Sequence, residues 1–134
     1  MKPSRLIKNS DVMKDSYVMV DGLHTVAEAI KLAVGNDVSM LLVNKRHEHD
    51  EYGMVLMSDI ARKVLAKDKS PERVNVYEIM IKPVLSVHAD MDIRYTARLF
   101  ERFGINKAPV IEGGKILGVV TYDDIVLKGM MPHL

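Results

Sequence analysis

Three groups of residues in this 134-residue chain have types and spacings that could do chemistry. Thr121 and Asp124 stand three apart directly after the apolar run Val119-Val120. Where such a strand turns into a helix, a hydroxyl and a carboxylate at that spacing face the same way from the first turn. The pair can cap the helix, worth ~1 kcal/mol, or present polar groups to a ligand, and the two roles are compatible. Asp123 and Asp124 are adjacent carboxylates, but neighbours at a helix start diverge in direction, and no partner nucleophile or base accompanies them. The chain is therefore not expected to be an enzyme, and no catalytic residue is assigned. His47 and His49 would share one face of an extended strand at roughly 6.6 Å. With Asp50 or Glu51 they could chelate a divalent ion. A polar hairpin loop explains the same residues and no fourth ligand can be named, so the metal assignment stays at none with His47 and His49 as its only candidates. His24, His88 and His133 are scattered and read as surface residues.

The elements that must position these groups come from an internal repeat. Met13 aligns with Met80, 67 positions on, and that register runs without a gap to Val43 and Val110. Two extra loop residues in the first copy then shift the offset to 65, so Gly53 aligns with Gly118 and Asp59 with Asp124. Apolar positions recur in order: Val18, Val20, then Val26, Ala29, Ile30, Ala33, then 40–43 and 54–57 in the first copy. The second has Val84, Leu85, Val87, then Ile93, Thr96, Ala97, Phe100, Phe103, then Val110, Ile111 and 116–120. Helical i, i+3, i+4, i+7 spacing alternates with short apolar runs that suit buried strands. Each copy reads strand, helix, strand, strand, helix, an α/β (α+β) arrangement.

The expected division is an N-terminal arm at 1–10, a first motif at 11–66, a charged linker holding Pro71 at 67–75 and a second motif at 76–134. Asp11-Val12-Met13 and Glu78-Ile79-Met80 open the two copies alike, as acidic, aliphatic, Met. Gly113-Gly114 reads as a hairpin turn, because glycine tolerates the positive φ that tight turns demand. The equivalent turn in the first copy is longer, from Asn44 to Tyr52.

Composition limits the function classes. At 48% hydrophobic residues the chain can bury a real core, while a copy of roughly 60 residues would bury only about 60% of its unfolded surface, so the copies are expected to pack as one unit. Lys plus Arg number 19 against 18 Asp plus Glu, which leaves no basic face for nucleic acid. The absence of cysteine removes disulfides, thiolate nucleophiles and zinc-thiolate sites. No apolar run reaches the ~18 residues of a membrane helix and the first residues do not read as a signal peptide, so a soluble cytoplasmic protein without membrane partners is expected. The ten Met residues read as flexible core filler.

The stretch Gly118-Val119-Val120-Thr121-Tyr122-Asp123-Asp124-Ile125 resembles the glycine, apolar strand, Thr or Ser, two residues, Asp signature of CBS motifs, the modules named after cystathionine beta-synthase. Ala108-Pro109-Val110 resembles the apolar-Pro-Val step of their second strand, and two ordered copies make the resemblance specific. It implies two β-α-β-β-α motifs packed with pseudo-two-fold symmetry as one module. It also implies clefts that hold adenosine-containing ligands such as AMP, ADP, ATP or S-adenosylmethionine. No cofactor is required; the adenine nucleotide would be a regulatory ligand. Thr121 and Asp124 would take the ribose, since a carboxylate accepts two hydrogen bonds from a diol and repels phosphate. Val84, Val87, Ala108 and Pro109 would form the adenine slot with Tyr122 as the nearby aromatic. Lys107, Arg94, Lys14 and Lys82 are the candidate phosphate donors. The first copy has Leu56 where Thr belongs, so the site around Asp59 and Ser58 is expected to be degenerate. The resemblance further implies a homodimer through the helices and a signal passed to an effector protein in trans; the alternatives are a ligand-free interaction module or a metal sensor through His47 and His49.

Overall fold

The computed structural model describes residues 6–134. The expected arm at 1–10 is therefore open to description only from residue 6; its first five residues lie outside the described ones. Two compact units are present: residues 17–84, and residues 6–16 together with 85–134. These boundaries differ from the repeat halves read from sequence, because each unit contains the opening segment of the other copy.

The first unit, residues 17–84, holds β1 (Met19–Val20), α2 (Val26–Asn36), β2 (Met40–Val43), β3 (Gly53–Leu56) and α3 (Met57–Lys63); α1 (Asn9–Val12) precedes them in the chain and belongs to the second unit. β1 runs parallel to β2 and β2 antiparallel to β3. The outer edge of β3 is closed by Ile81, which exchanges both backbone hydrogen bonds with Met54 at 2.8 and 2.9 Å. α2 starts at a reciprocal cap: the Thr25 hydroxyl accepts from the Glu28 amide at 3.1 Å, and the Glu28 carboxylate accepts from the Thr25 amide at 3.0 Å. The bonds it accepts from the Thr25 amide and hydroxyl hold the Glu28 carboxyl below its ordinary range. The segment read from sequence as a linker docks here. The helix's first amides have no intrahelical acceptor, and Val26 and Ala27 donate to the carbonyls of Val74 and Pro71 at 2.8 and 2.9 Å. Val74 and Val76 join the buried cluster of Val20, Val26, Leu41, Val55, Ile60 and Ile79.

The second unit holds α1 (Asn9–Val12), α4 (Ile93–Phe103), β4 (Lys107–Glu112), β5 (Lys115–Thr121) and α5 (Tyr122–Asp124), which widens into a π turn over Ile125–Met130. β4 and β5 form the expected hairpin, with positive φ at Gly113 and Gly114. Lys14 closes β5 by exchanging two 2.9 Å backbone bonds with Val119, the counterpart of Ile81 on Met54. The strand expected over 84–87 shrinks to one bridge between Val87 and Val110. Residues 84–86 are irregular, because the chain passes from one unit to the other there. Fully buried Phe100 centres a core with Val12, Val87, Ile93, Ala108, Val120 and Ile125. Phe103, expected in this core, is 55% exposed at the last turn of α4. Thr96, expected as an apolar contact, is buried as a hydrogen-bonding group.

The crossing segments explain the aligned glycines of the third strands, Gly53 at the start of β3 and Gly118 within β5. A Cβ on Gly118 would collide with the Lys14 carbonyl and meet the Met13 sulfur at 3.0 Å; on Gly53 it would meet the Met80 sulfur at 3.0 Å and the Ile81 carbonyl at 3.3 Å. Gly118→Ala is expected to cost about 2 kcal/mol or more, since a fixed carbonyl must move, and Gly53→Ala less, since a Met side chain can yield. Urea unfolding midpoints of the two variants check the order.

Candidate functional site

Thr121 ends β5 and caps α5. Its hydroxyl accepts from the Asp124 amide at 3.1 Å and donates to Asp124 Oδ2 at 2.9 Å, and its amide donates to the same oxygen at 3.1 Å. The capping role is thus realised. The Asp124 side chain is only 3% exposed, and its other oxygen, Oδ1, faces two ammonium groups, Lys128 at 3.4 Å and Lys14 at 4.0 Å. Lys128 also donates to the Val12 carbonyl at 3.3 Å. One carboxylate therefore joins the helix start, the last turns of the chain and the crossing segment.

The first unit repeats this arrangement around Asp59, 1% exposed at its side chain. Asp59 Oδ2 accepts from the Leu56 amide at 2.9 Å, and Oδ1 faces Arg62 at 3.0 Å and Lys63 at 4.0 Å. Lys63 donates to the Ile79 carbonyl at 3.0 Å. Leu56 provides no hydroxyl, and Ser58 is exposed, contributing its carbonyl to Arg62 rather than a cap. Lys63 and Lys128 were missed in the sequence although both stand four residues after the aligned Asp; that shared offset was the available signal.

The remaining candidates divide. Across the β4 and β5 ladder Lys107 lies opposite Thr121, Ala108 opposite Val120 and Pro109 opposite Val119. Val87 donates its amide to the Pro109 carbonyl at 3.0 Å. Lys107, Ala108 and Pro109 share the β4 and β5 ladder with Thr121, and Val87 bridges to Val110 at its edge, but Ala108 and Val87 are buried in the core and offer a ligand little side-chain surface. Val84 lies in the first unit, where its amide donates to Tyr52. The Tyr122 ring packs edge-on against Phe100 at 5.2 Å, which turns it to the core rather than to a ligand. Arg94 wraps Asp92, with its guanidinium 2.7 Å from Oδ2, and Lys82 lies 2.8 Å from Asp50. Arg46 and Lys82 together hold the Asp50 carboxyl far below its ordinary range. Of the candidate phosphate donors, Lys14, exposed at 59% of its side chain, is the one that faces Asp124.

A chelate by His47 and His49, the only metal candidates in the sequence, would depend on extended backbone. Residues 46–49 form a turn instead, with the Asp50 amide on the His47 carbonyl at 3.1 Å and Asp50 drawn to Arg46 and Lys82. Among the described residues no three His, Asp or Glu side chains converge as a metal site. Among the same residues no helix is long and apolar enough to cross a membrane.

The CBS domain family matches residues 76–129. A hexameric CBS-CP12 protein from bloom-forming cyanobacteria is 38% identical, with a TM-score of 0.90 over 95% of this chain and 73% of that one. An uncharacterized protein of Methanopyrus kandleri is 33% identical over 91% of this chain and 62% of its own length. The chain spans less than two thirds of the first curated relatives it matches. A CBS domain pair solved with 5′-methylthioadenosine and S-adenosyl-L-methionine shares the fold at 24% identity, with a TM-score of 0.77 over 90% of this chain and 98% of that one.

Asp92 caps α4 through the Arg94 amide at 2.9 Å, and the Arg94 guanidinium holds its carboxyl below the ordinary range. A carboxylate shifted down stabilises the fold above its unfolded pKa near ~4, and that contribution fades as pH falls through the lower folded value. Asp92→Asn keeps a capping oxygen but loses the charge that faces Arg94, and is expected to lose roughly 0.5 kcal/mol at pH 7. The deficit should shrink below about pH 4, as read from urea melts at pH 7 and pH 3.

Proposed function

Since this chain belongs to the CBS domain family and carries the motif twice, we propose that it is a regulatory module whose second unit takes an adenosine-containing ligand at the Thr121 and Asp124 turn and reports to an effector protein in trans. The observation that carries the reading is the asymmetry between the two turns. At Asp124 a hydroxyl, a carboxylate and an exposed ammonium stand together. At Asp59 the hydroxyl is replaced by Leu56 and the cation nearest the carboxylate is Arg62, paired at 3.0 Å. A ribose diol would donate to Asp124 Oδ1, whose cations stand at 3.4 and 4.0 Å. Lys14 would turn outward to a phosphate or another anionic group of the ligand. Asp123 is exposed and Asp124 buried and ion-paired, so the two carboxylates have no shared target, in keeping with regulation rather than catalysis. The CBS pair that holds 5′-methylthioadenosine and S-adenosyl-L-methionine supports the ligand class at the level of the fold.

A second copy of the chain is the proposed structural partner. Tyr95 and Phe103 on α4 and Leu127, Met130 and Met131 after α5 are each more than half exposed, a set of large apolar side chains that association would cover. The hexameric relative supports self-association. Light scattering is expected to give a dimer mass for the wild type and a monomer mass for Phe103→Glu with Leu127→Lys; a monomeric wild type overturns this part.

Thermal melts with AMP, ADP, ATP, S-adenosylmethionine and 5′-methylthioadenosine test the ligand. At 100 times its dissociation constant the right ligand adds about 2.7 kcal/mol, raising Tm by roughly 4 °C or more. Thr121→Val should abolish the shift. Lys14→Ala should weaken AMP, ADP and ATP while sparing uncharged 5′-methylthioadenosine. Calorimetry should give one molecule per chain, and two equal sites would remove the asymmetry.

A further inference from the structure

Two opening segments with the same local chemistry must each find the right unit. Val12 and Ile79 fill equivalent core positions, Met13 and Met80 cover equivalent glycines, and Lys14 and Ile81 make identical backbone exchanges. Lys128 and Lys63 grip the equivalent carbonyls of Val12 and Ile79. None of these contacts distinguishes one segment from the other.

Two other contacts do. Asn9 is fully buried in the second unit: its amide nitrogen donates to the His88 carbonyl at 2.8 Å, and its amide oxygen accepts from the Thr96 hydroxyl at 2.7 Å. At the aligned positions of the first unit stand Val76 and Ala29, both fully buried and apolar. The cations differ in a compensating way. Asp124 is flanked by Lys128 and, from the crossing segment, Lys14; Asp59 is flanked by Lys63 and, from its own helix, Arg62. The residue aligned with Lys14 is Ile81, and the residue aligned with Arg62 is Leu127. Each buried carboxylate thus has two cations, one from a shared position and one from a position the other unit leaves apolar.

We propose that Asn9 with Thr96, and Lys14 with Asp124, are pairing keys that direct each opening segment to its own unit and reject the homologous one. Exchange of the segments would set Val76 against Thr96, leaving a buried hydroxyl without its oxygen acceptor, and Asn9 against Ala29, leaving a buried amide oxygen unpaired. It would also place three cations around Asp59 and one around Asp124. Both errors arise from the same exchange and from independent chemistry, hydrogen bonding in one case and charge in the other. The backbone ladder supplies affinity for either segment, and these side chains supply the discrimination.

The test makes the keys alike. In the full chain, Asn9→Val, Thr96→Ala, Lys14→Ile and Leu127→Arg give the second unit the first unit's residues at all four positions. The wild type should refold from urea to one set of backbone amide NMR signals. The four-substitution chain should refold with two sets at Met54 and Val119, the residues that receive the crossing segments; a single set overturns the proposal. A rescue on the folded surface decides the matter should that chain fail to fold. Arg62→Leu alone should lower the folded-to-unfolded ratio several-fold, and Arg62→Leu with Ile81→Lys should recover most of it, because the second cation then comes from the crossing segment. A double variant no better than Arg62→Leu alone overturns the charge key. Likewise Asn9→Val should lower the ratio about tenfold or more. Adding Thr96→Ala should return part of that loss, whereas simple additivity of the two overturns the polar key.

Discussion

In both units the third strand of the copy depends on a backbone exchange with residues from the other copy's opening segment. Met54 and Val119 would otherwise sit on open sheet edges, with amide and carbonyl groups unpaired. Ile81 and Lys14 satisfy them, each with two hydrogen bonds under 3 Å. The strand beneath carries a glycine where the crossing segment's Met sulfur and carbonyl crowd the space a Cβ would take. Glycine is demanded by that close approach at Gly118 and favoured by it at Gly53.

The same crossing explains why a helix-start aspartate is buried in each unit. A carboxylate removed from water requires paired charge and hydrogen bonds. Asp59 and Asp124 receive both: an N–H from the residue three before, and ammonium or guanidinium groups on the other oxygen. The lysine four residues on spans from the carboxylate to the carbonyl of the crossing segment. A change at the carboxylate is therefore transmitted to the segment that closes the sheet, which gives a ligand at Asp124 a physical route to the fold, provided that it binds one arrangement better than the other.

The copies share this frame and differ in what they place on it. The second unit has a hydroxyl at the cap, an exposed lysine beside the carboxylate and a buried amide in its core. The first has Leu56, Arg62 and Val76 at or near the corresponding places. The packing is duplicated while the polar groups placed on it diverge.

Much of this was legible from residue order alone. The 67-residue register, the two 11-residue helices, the Gly113-Gly114 turn and the Thr121 cap follow from apolar period and local backbone chemistry, which act over a few residues. The family signature likewise marked Thr121 and Asp124, which the structure joins as cap and buried carboxylate, and the missing hydroxyl at Leu56. Only the tertiary structure decided which segment closes which sheet, because Asp11-Val12-Met13 and Glu78-Ile79-Met80 present the same local pattern and differ only in distant partners. For the same reason Asn9 and Thr96 could not be read as a pair, lying 87 residues apart. The docking of 71–74 depends on unpaired amides at the start of α2, and the turn at His47 and His49 accompanies an Asp50 held by distant Lys82. Local sequence determines elements and their caps; long-range pairing of polar groups, invisible until the chain is folded, determines how those elements are joined.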